Sequence, residues 1–277
     1  MIMSTNKKIF LVLAAMAAIV SCKSEYDLLL EGNDVDAKYA AAFDLFNQDK
    51  YYKSAQMFES LALMTQGTPK DDTVQYYWGL SNYRYKDYYT AETNFKNFTE
   101  SYPVSPFTEN ARFLRIDCLY RQTLRFELDQ VPSQKAMVEI AEFMNDYPES
   151  PQFDNCVSMM NDLSERQDRK AYEAAKLYYK MEDYLASRVA LKNVLKDDAD
   201  NIYREEILYY SAMSSYKYAA LSVAEKQRER YLAFVDDYLN FVGEYPESSY
   251  RKEMDSLYKK AQKALGRYSG DDEEDES

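Results

Sequence analysis

The sequence has no histidine, and its 277 residues include only 6 glycines, 7 prolines and a single tryptophan. Without histidine the commonest general base and the commonest transition-metal ligand are gone, so His-dependent triads, zinc proteases and most zinc hydrolases are excluded. Scarce glycine and proline count against phosphate loops, tight β-turns and a doubly wound nucleotide-binding sheet. No G-x-G-x-x-G, G-x-x-x-x-G-K, G-x-S-x-G or C-x-x-C occurs, which removes the minimal residues for nucleotide, hydrolase and dithiol chemistry. Carboxylates remain, as in Glu205-Glu206 and Asp236-Asp237, but adjacent helical residues do not face each other and read as solvated faces rather than a glycosidase pair. The stretch Asp197–Asn201 looks superficially like a calcium loop yet lacks its turn glycine and closing glutamate. No catalytic residue, metal site or cofactor is assigned.

Positive charge is also in short supply, with 34 bases against 47 acids for a formal charge of −13. Nucleic acid is therefore excluded as a partner, because its binding rests on clustered Lys and Arg. Anionic membrane surfaces repel such a body as well, so membrane attachment has to come from an apolar or covalent device. One is present at the N-terminus. Lys7 and Lys8 precede an apolar run from Ile9 to Val20, too short to span a bilayer and placed as in a signal peptide. The run closes on Ile19-Val20-Ser21-Cys22, which resembles the bacterial lipobox. On that reading residues 1–21 are removed and Cys22 carries the lipid; the alternative is an ordinary cleavage site beside a cysteine. Acyl chains at about 0.8 kcal/mol per buried CH₂ make such an anchor effectively permanent. Lys23 follows the cysteine, where in lipoprotein sorting patterns an aspartate resembles an inner-membrane retention mark, so outer-membrane sorting is expected. Cys118 and Cys156 are read as buried free thiols, with a disulfide as the alternative in an oxidising compartment.

Residues 22–36 are short, polar and weakly patterned, and as a coil would tether the body roughly 20 Å from the lipid. From 37 to 267 the spacing is helical nearly throughout. Met137, Ile140, Ala141, Met144 and Tyr147 form one stripe, and Tyr231, Phe234, Val235, Tyr238, Phe241, Val242 and Tyr245 form another. No comparable alternating run argues for a strand. Breaks fall at Gly67-Thr-Pro69, Tyr102-Pro103, Tyr147-Pro148, Asp197–Asp200 and Tyr245-Pro246. They divide the chain into units at 37–67, 71–103, 106–148, 151–200 and 202–246, with a capping helix at 249–266. Residues 151–180 hold no breaker and are expected to form one long helix. Six acids between Asp271 and Glu276 mark 268–277 as a disordered tail, with weak Ca²⁺ association as the alternative.

Aligned on themselves, Lys50–Phe58, Asp87–Phe95 and Asp183–Leu191 share one pattern. An aromatic opens a helix, a small residue (Ser54, Ala91 or Ser187) follows three positions later, and a large apolar residue (Phe58, Phe95 or Leu191) comes four after that. The small residue admits a close helix approach and the large one fills the neighbouring groove. This resembles the tetratricopeptide repeat, most clearly in the second unit through Gly79, Tyr88, Ala91, Phe95 and Pro103. Trp78 departs from the motif, standing beside Gly79 where leucine is usual. The resemblance implies an all-α fold, a right-handed α-α superhelix of about five tetratricopeptide-like helical hairpins.

Tyrosine, with 28 copies, combines apolar area with a hydrogen-bonding tip and suits a surface that holds peptides. Tyr102, Tyr147 and Tyr245, beside prolines, are read as core or capping residues. Tyr76, Tyr77, Tyr83 and Tyr85 lie on the first helix of a repeat and are the candidate lining of a client-peptide groove.

A signal peptide, a lipid cysteine, a tether and about five such repeats together resemble the BamD family, the lipoproteins of the β-barrel assembly machinery. The likeness is strongest in the Tyr-Pro-terminated hairpins and in Arg169–Lys180, which is similar to the first helix of the family's fourth repeat. High tyrosine content and the acidic tail suit a Bacteroidetes-like member. The resemblance implies a non-enzymatic scaffold lipid-anchored in the outer membrane and facing the periplasm. Its partners would be the barrel-forming subunit, docked through its periplasmic domains on the C-terminal repeats, and unfolded outer-membrane clients on the N-terminal ones. Arg204 matches a family arginine that contacts the barrel subunit, given a one-residue gap, and pairing with a local acid is the alternative. Two other classes stand beside this one: a glycan-binding partner of an outer-membrane transporter, which ordinarily needs a longer chain and several tryptophans, and a carboxylate enzyme, which needs inward-facing acids. Cys22→Ser is expected to release the protein from membranes in a fractionation assay, and retention in high salt would overturn the lipid assignment.

Overall fold

A computed structural model describes residues 24–274, the side chains only as far as 266. The signal peptide and Cys22 lie outside the described residues. Twelve helices and no strand occur among those residues: α1 (Glu25–Glu31), α2 (Val35–Asn47), α3 (Tyr51–Ala62), α4 (Asp71–Tyr85), α5 (Tyr88–Ser101), α6 (Thr108–Arg121), α7 (Val131–Asp146), α8 (Phe153–Lys180), α9 (Tyr184–Asp197), α10 (Arg204–Ala220), α11 (Ala224–Glu244) and α12 (Arg251–Glu274). The chain forms two compact units. Of the described residues, one holds 24–123 together with 138–153, and the other holds 124–137 together with 154–274. Within each, consecutive helices pack as antiparallel hairpins, which makes the protein an all-α stack of tetratricopeptide-like hairpins, the class expected from its sequence.

The three aligned segments turn in one way. Asp49, Lys86 and Glu182 have φ of 58°, 70° and 62°, so each helix ends on a left-handed residue without using glycine. The next backbone N–H closes the turn five residues back, from Lys50 to Leu45, Asp87 to Asn82 and Asp183 to Tyr178, at 2.9 to 3.0 Å. Asp87 and Asp183 then cap the next helix, accepting from Thr90 N and Ala186 N at 3.1 Å. Turns built this way explain how the chain makes helical hairpins from so little glycine.

The small residues meet across neighbouring hairpins. Ser54 and Ser81 are fully buried with their hydroxyls 3.1 Å apart, and Ser187 accepts from Ser214 at 2.9 Å, both pairs separated by 27 residues. Ala91 and Cys118, fully buried in one cluster, stand at the same interval. The large partners Phe58, Phe95 and Leu191 are also fully buried. A second interval, 34 residues, is the tetratricopeptide period: it separates Tyr76 from Asn110, Tyr83 from Asp117, Arg112 from Asp146 and Asp168 from Ile202, all hydrogen-bonded. Each Tyr-Pro ending folds back on a phenylalanine four residues earlier, Tyr102 on Phe98, Tyr147 on Phe143 and Tyr245 on Phe241, with ring centroids 5.1 to 6.2 Å apart.

Two sequence expectations meet a different outcome. The tether assigned to 22–36 contains α1, whose N-terminus carries a Ser24–Asp27 capping box. Tyr26, Leu29 and Leu30 pack it on the α2–α3 core, and the buried Lys38 donates to Leu30 O at 2.8 Å. Seven residues are too few for a periodic signal, but their apolar face suffices to dock once α2 and α3 exist. At the other end the backbone stays helical through Glu274, so the segment read as a disordered tail is helical for its first part; no proline interrupts the hydrogen-bond ladder there. Cys118 and Cys156, in contrast, are free and buried as expected, and burial raises both thiol pKa values.

Gly79 is where backbone space is tightest. A Cβ there would stand 2.9 Å from Phe95 Cε1, closer than carbon atoms approach, and a tight 3.2 Å from Asn94 Cβ. Phe95→Ala is expected to cost roughly 3–5 kcal/mol, read as a lower urea midpoint; an unchanged midpoint would mean the repeats are misregistered. Gly79→Ala should destabilise the parent, yet cost less in the Phe95→Ala background, where the opposing ring is gone. Equal effects in both backgrounds would refute the contact.

Candidate functional site

The four tyrosines proposed to line one groove do not converge. Tyr76 is only 4% exposed; its ring stacks on Phe107 at 4.5 Å and its hydroxyl accepts from Asn110. Tyr77, half-buried, sits among Phe43, Phe46 and Phe58, with centroids 4.7 to 5.9 Å away. Tyr83 donates to Asp117 Oδ2 at 2.7 Å, and burial followed by that hydrogen bond pushes its hydroxyl up to about 12. Tyr85 alone stands out in solvent, 51% exposed, against Tyr52 at 5.1 Å. The correction follows from helix geometry. Consecutive positions point about 100° apart, so Tyr76 and Tyr77 serve different hairpins, and the hairpin that follows α4–α5 covers Tyr76 and Tyr83.

In the second unit a cleft of about 430 Å³ opens beside α10, lined by Lys192, Lys196, Arg204, Ser211, Asp237 and Asn240 among others. Arg204 opens α10 and grips the Glu244 carboxylate with Nε and Nη2, the latter at 3.0 Å, while Nη1 donates to Ala199 O at 2.8 Å. Its hydrogen bonds hold the Glu244 carboxyl below the usual carboxylate range. The local acid pair is therefore what the structure contains, with both side chains about a third exposed at the cleft mouth. The bidentate fork fixes the guanidinium plane.

Asp237 is the cleft's buried charge. Arg188 Nε donates to its Oδ2 at 2.9 Å, Lys192 Nζ to its Oδ1 at 2.5 Å, and Ser215 Oγ also donates to Oδ2. Burial pushes its pKa upward, but those three hydrogen bonds outweigh it and hold the carboxyl below its ordinary value. Ser211 Oγ, one helical turn before Ser215, is buried without a hydrogen-bond partner. Asp237, expected on a solvated face, is buried instead, and Arg188 and Lys192 escaped sequence reasoning, since α9 and α11 bring them to it from 45 to 49 residues apart. The only local hint was an acid on the apolar stripe of α11, next to Tyr238.

A carboxyl with a lowered folded-state pKa contributes stability that is present above its unfolded value of about 3.9 and is lost as pH falls through the folded value. Asp237→Asn should accordingly cost about 1–3 kcal/mol near neutral pH, and the gap to the parent should narrow below about pH 4. Urea midpoints at pH 7 and pH 3 test this, and a gap independent of pH would remove the ionic role.

No group of three or more metal-ligating side chains, and no helix long and apolar enough to cross a membrane, occurs among the described residues. No curated protein matches the chain in sequence. Residues 32–233 match the family model YfiO, described as outer membrane lipoprotein, which is the BamD family domain. That match runs from the end of α1 into α11, through all three αL turns and both 27-residue serine pairs. The chain thus belongs to the YfiO, or BamD, family of outer membrane lipoproteins.

Proposed function

We propose that the protein is a non-enzymatic scaffold for assembling β-barrels into the outer membrane, held by an acylated Cys22 and facing the periplasm. The observation that carries this reading is the family match over residues 32–233, in a chain built of stacked hairpins. Such stacks offer long lateral surfaces to other proteins rather than one enclosed reaction site. The barrel-forming subunit would dock through its periplasmic domains on the C-terminal repeats, where Arg204 stands at a cleft mouth with Lys192 and Lys196. Unfolded outer-membrane clients would bind the N-terminal repeats. Arginine is among the residue types that carry much of the energy in protein interfaces.

Pull-down of the lipidated protein from native membranes should recover a large barrel protein with tandem periplasmic domains. Recovery of a transporter alone would overturn the assembly reading in favour of a glycan-binding role.

A further inference from the structure

The exposed tyrosines of the first unit are not scattered. In the pairs that open α3 and α5, Tyr51-Tyr52 and Tyr88-Tyr89, the first tyrosine packs inward, Tyr51 on Phe46 at 5.3 Å and Tyr88 on Tyr83 at 5.7 Å. The second faces out: Tyr52 is 53% exposed and Tyr89 is 77% exposed. Tyr85, at the end of α4, touches Tyr52 at the start of the antiparallel α3. Tyr89 makes no ring contact and no side-chain hydrogen bond, so fold stability gives no reason for an aromatic there. Lys50, Lys53, Arg84 and Lys86 are exposed on the same edge, alongside the acids Asp49, Glu25 and Asp27. In a chain of net charge −13 this edge is close to neutral.

The start of the described chain lies on that edge. Tyr26, in the first turn of α1, donates to Lys53 O at 3.2 Å and to Gln56 Oε1 at 3.0 Å, and Lys53 Nζ lies 4.8 Å from its ring centroid. Gln56 in turn donates to Tyr52 Oη at 3.4 Å. The other end of α1 meets Ser60, further along α3, whose hydroxyl donates to Leu30 O at 3.4 Å. So α1 runs parallel to α3, with its N-terminus at the Tyr52 end. Cys22 stands two positions before Ser24, a reach of roughly 7 Å when fully extended.

We infer that the tyrosine edge of the first unit, Tyr52, Tyr85 and Tyr89, rests in the headgroup layer of the bilayer that holds the lipid anchor. This rests on Cys22 being acylated, as proposed above. A lipid within two residues of Ser24 puts the membrane surface beside this end of the hairpins, and tyrosine is the residue type that settles at such an interface, ring toward the acyl boundary and hydroxyl in the wet layer. The acidic charge of the whole body opposes adsorption by itself. The anchor supplies the local concentration, and the rings then fix which face turns to the lipid.

The lipidated full-length protein is reconstituted in phosphatidylethanolamine–phosphatidylglycerol vesicles, with Tyr89→Trp or Val104→Trp compared against the parent, whose Trp78 supplies a common background. Val104 is 95% exposed and follows α5, at the opposite end of the hairpin from Tyr89. Brominated acyl chains are expected to quench Tyr89→Trp several-fold more strongly than Val104→Trp, with a blue shift at Tyr89→Trp only. Flotation of the same vesicles reports the anchor separately. Flotation with equal quenching at the two sites overturns the surface contact and leaves the anchor standing. Failure to float overturns the anchor, and the contact with it.

Discussion

The architecture depends on close approach between the second helix of one hairpin and the first helix of the next. At three places a side chain no larger than serine or cysteine stands on each side of that crossing: Ser54 with Ser81, Ala91 with Cys118 and Ser187 with Ser214. Larger side chains would hold the backbones apart and leave Phe58, Phe95 and Leu191 without the tight grooves they fill. The serine pairs also answer a polar demand, since a buried hydroxyl must find a partner, and the facing hydroxyl is one. Cys118 is explained by the same geometry. It is a small, weakly polar residue in a slot sized for one, and its burial keeps the thiol protonated and unreactive.

Given that crossing, the remaining order follows from the turns. A left-handed residue, an N-cap position (capped by an aspartate at two of them) and a tyrosine occur in fixed succession at three hairpins, so each second helix starts in the same register relative to the first. That shared register brings residues 34 apart into hydrogen-bonding distance. It also sets which tyrosine of each opening pair packs and which is left on the rim. The aromatic edge beside the N-terminus is thus a by-product of repeat geometry in its position, and a choice of residue only in its chemistry. At the cleft of the second unit the logic is electrostatic: Asp237 tolerates burial because two cations and a serine hydroxyl answer its charge.

How much was legible depended on whether the signal was local. The Tyr-Pro endings, the aromatic-small-large pattern and the uninterrupted run of α8 all lie within a few turns of chain, and a helix makes neighbours of residues three and four apart. The different surroundings of Tyr76, Tyr77 and Tyr83 were not legible because a helical face can be read from spacing, whereas what covers that face cannot. Phe107 and Asp117, which occupy Tyr76 and Tyr83, belong to the next hairpin. α1 escaped notice because seven residues barely complete two turns, and its stability comes from Lys38, Ser60 and the α2–α3 core rather than from its own sequence.

By itself, the sequence determined the class of elements, the places where they break, the apolar segment ahead of Cys22 and the exclusion of histidine chemistry, because each is a matter of composition or of contacts within about a turn of helix. Only the tertiary structure decided that Arg204 grips Glu244, that Asp237 is held by Arg188 and Lys192, that Tyr76 is core, and that Tyr52, Tyr85 and Tyr89 share one edge with the start of α1. Those outcomes depend on which helices become neighbours. Neighbourhood across a turn or a stack is fixed by side-chain volume and register over tens of residues, a quantity that no short window of sequence contains.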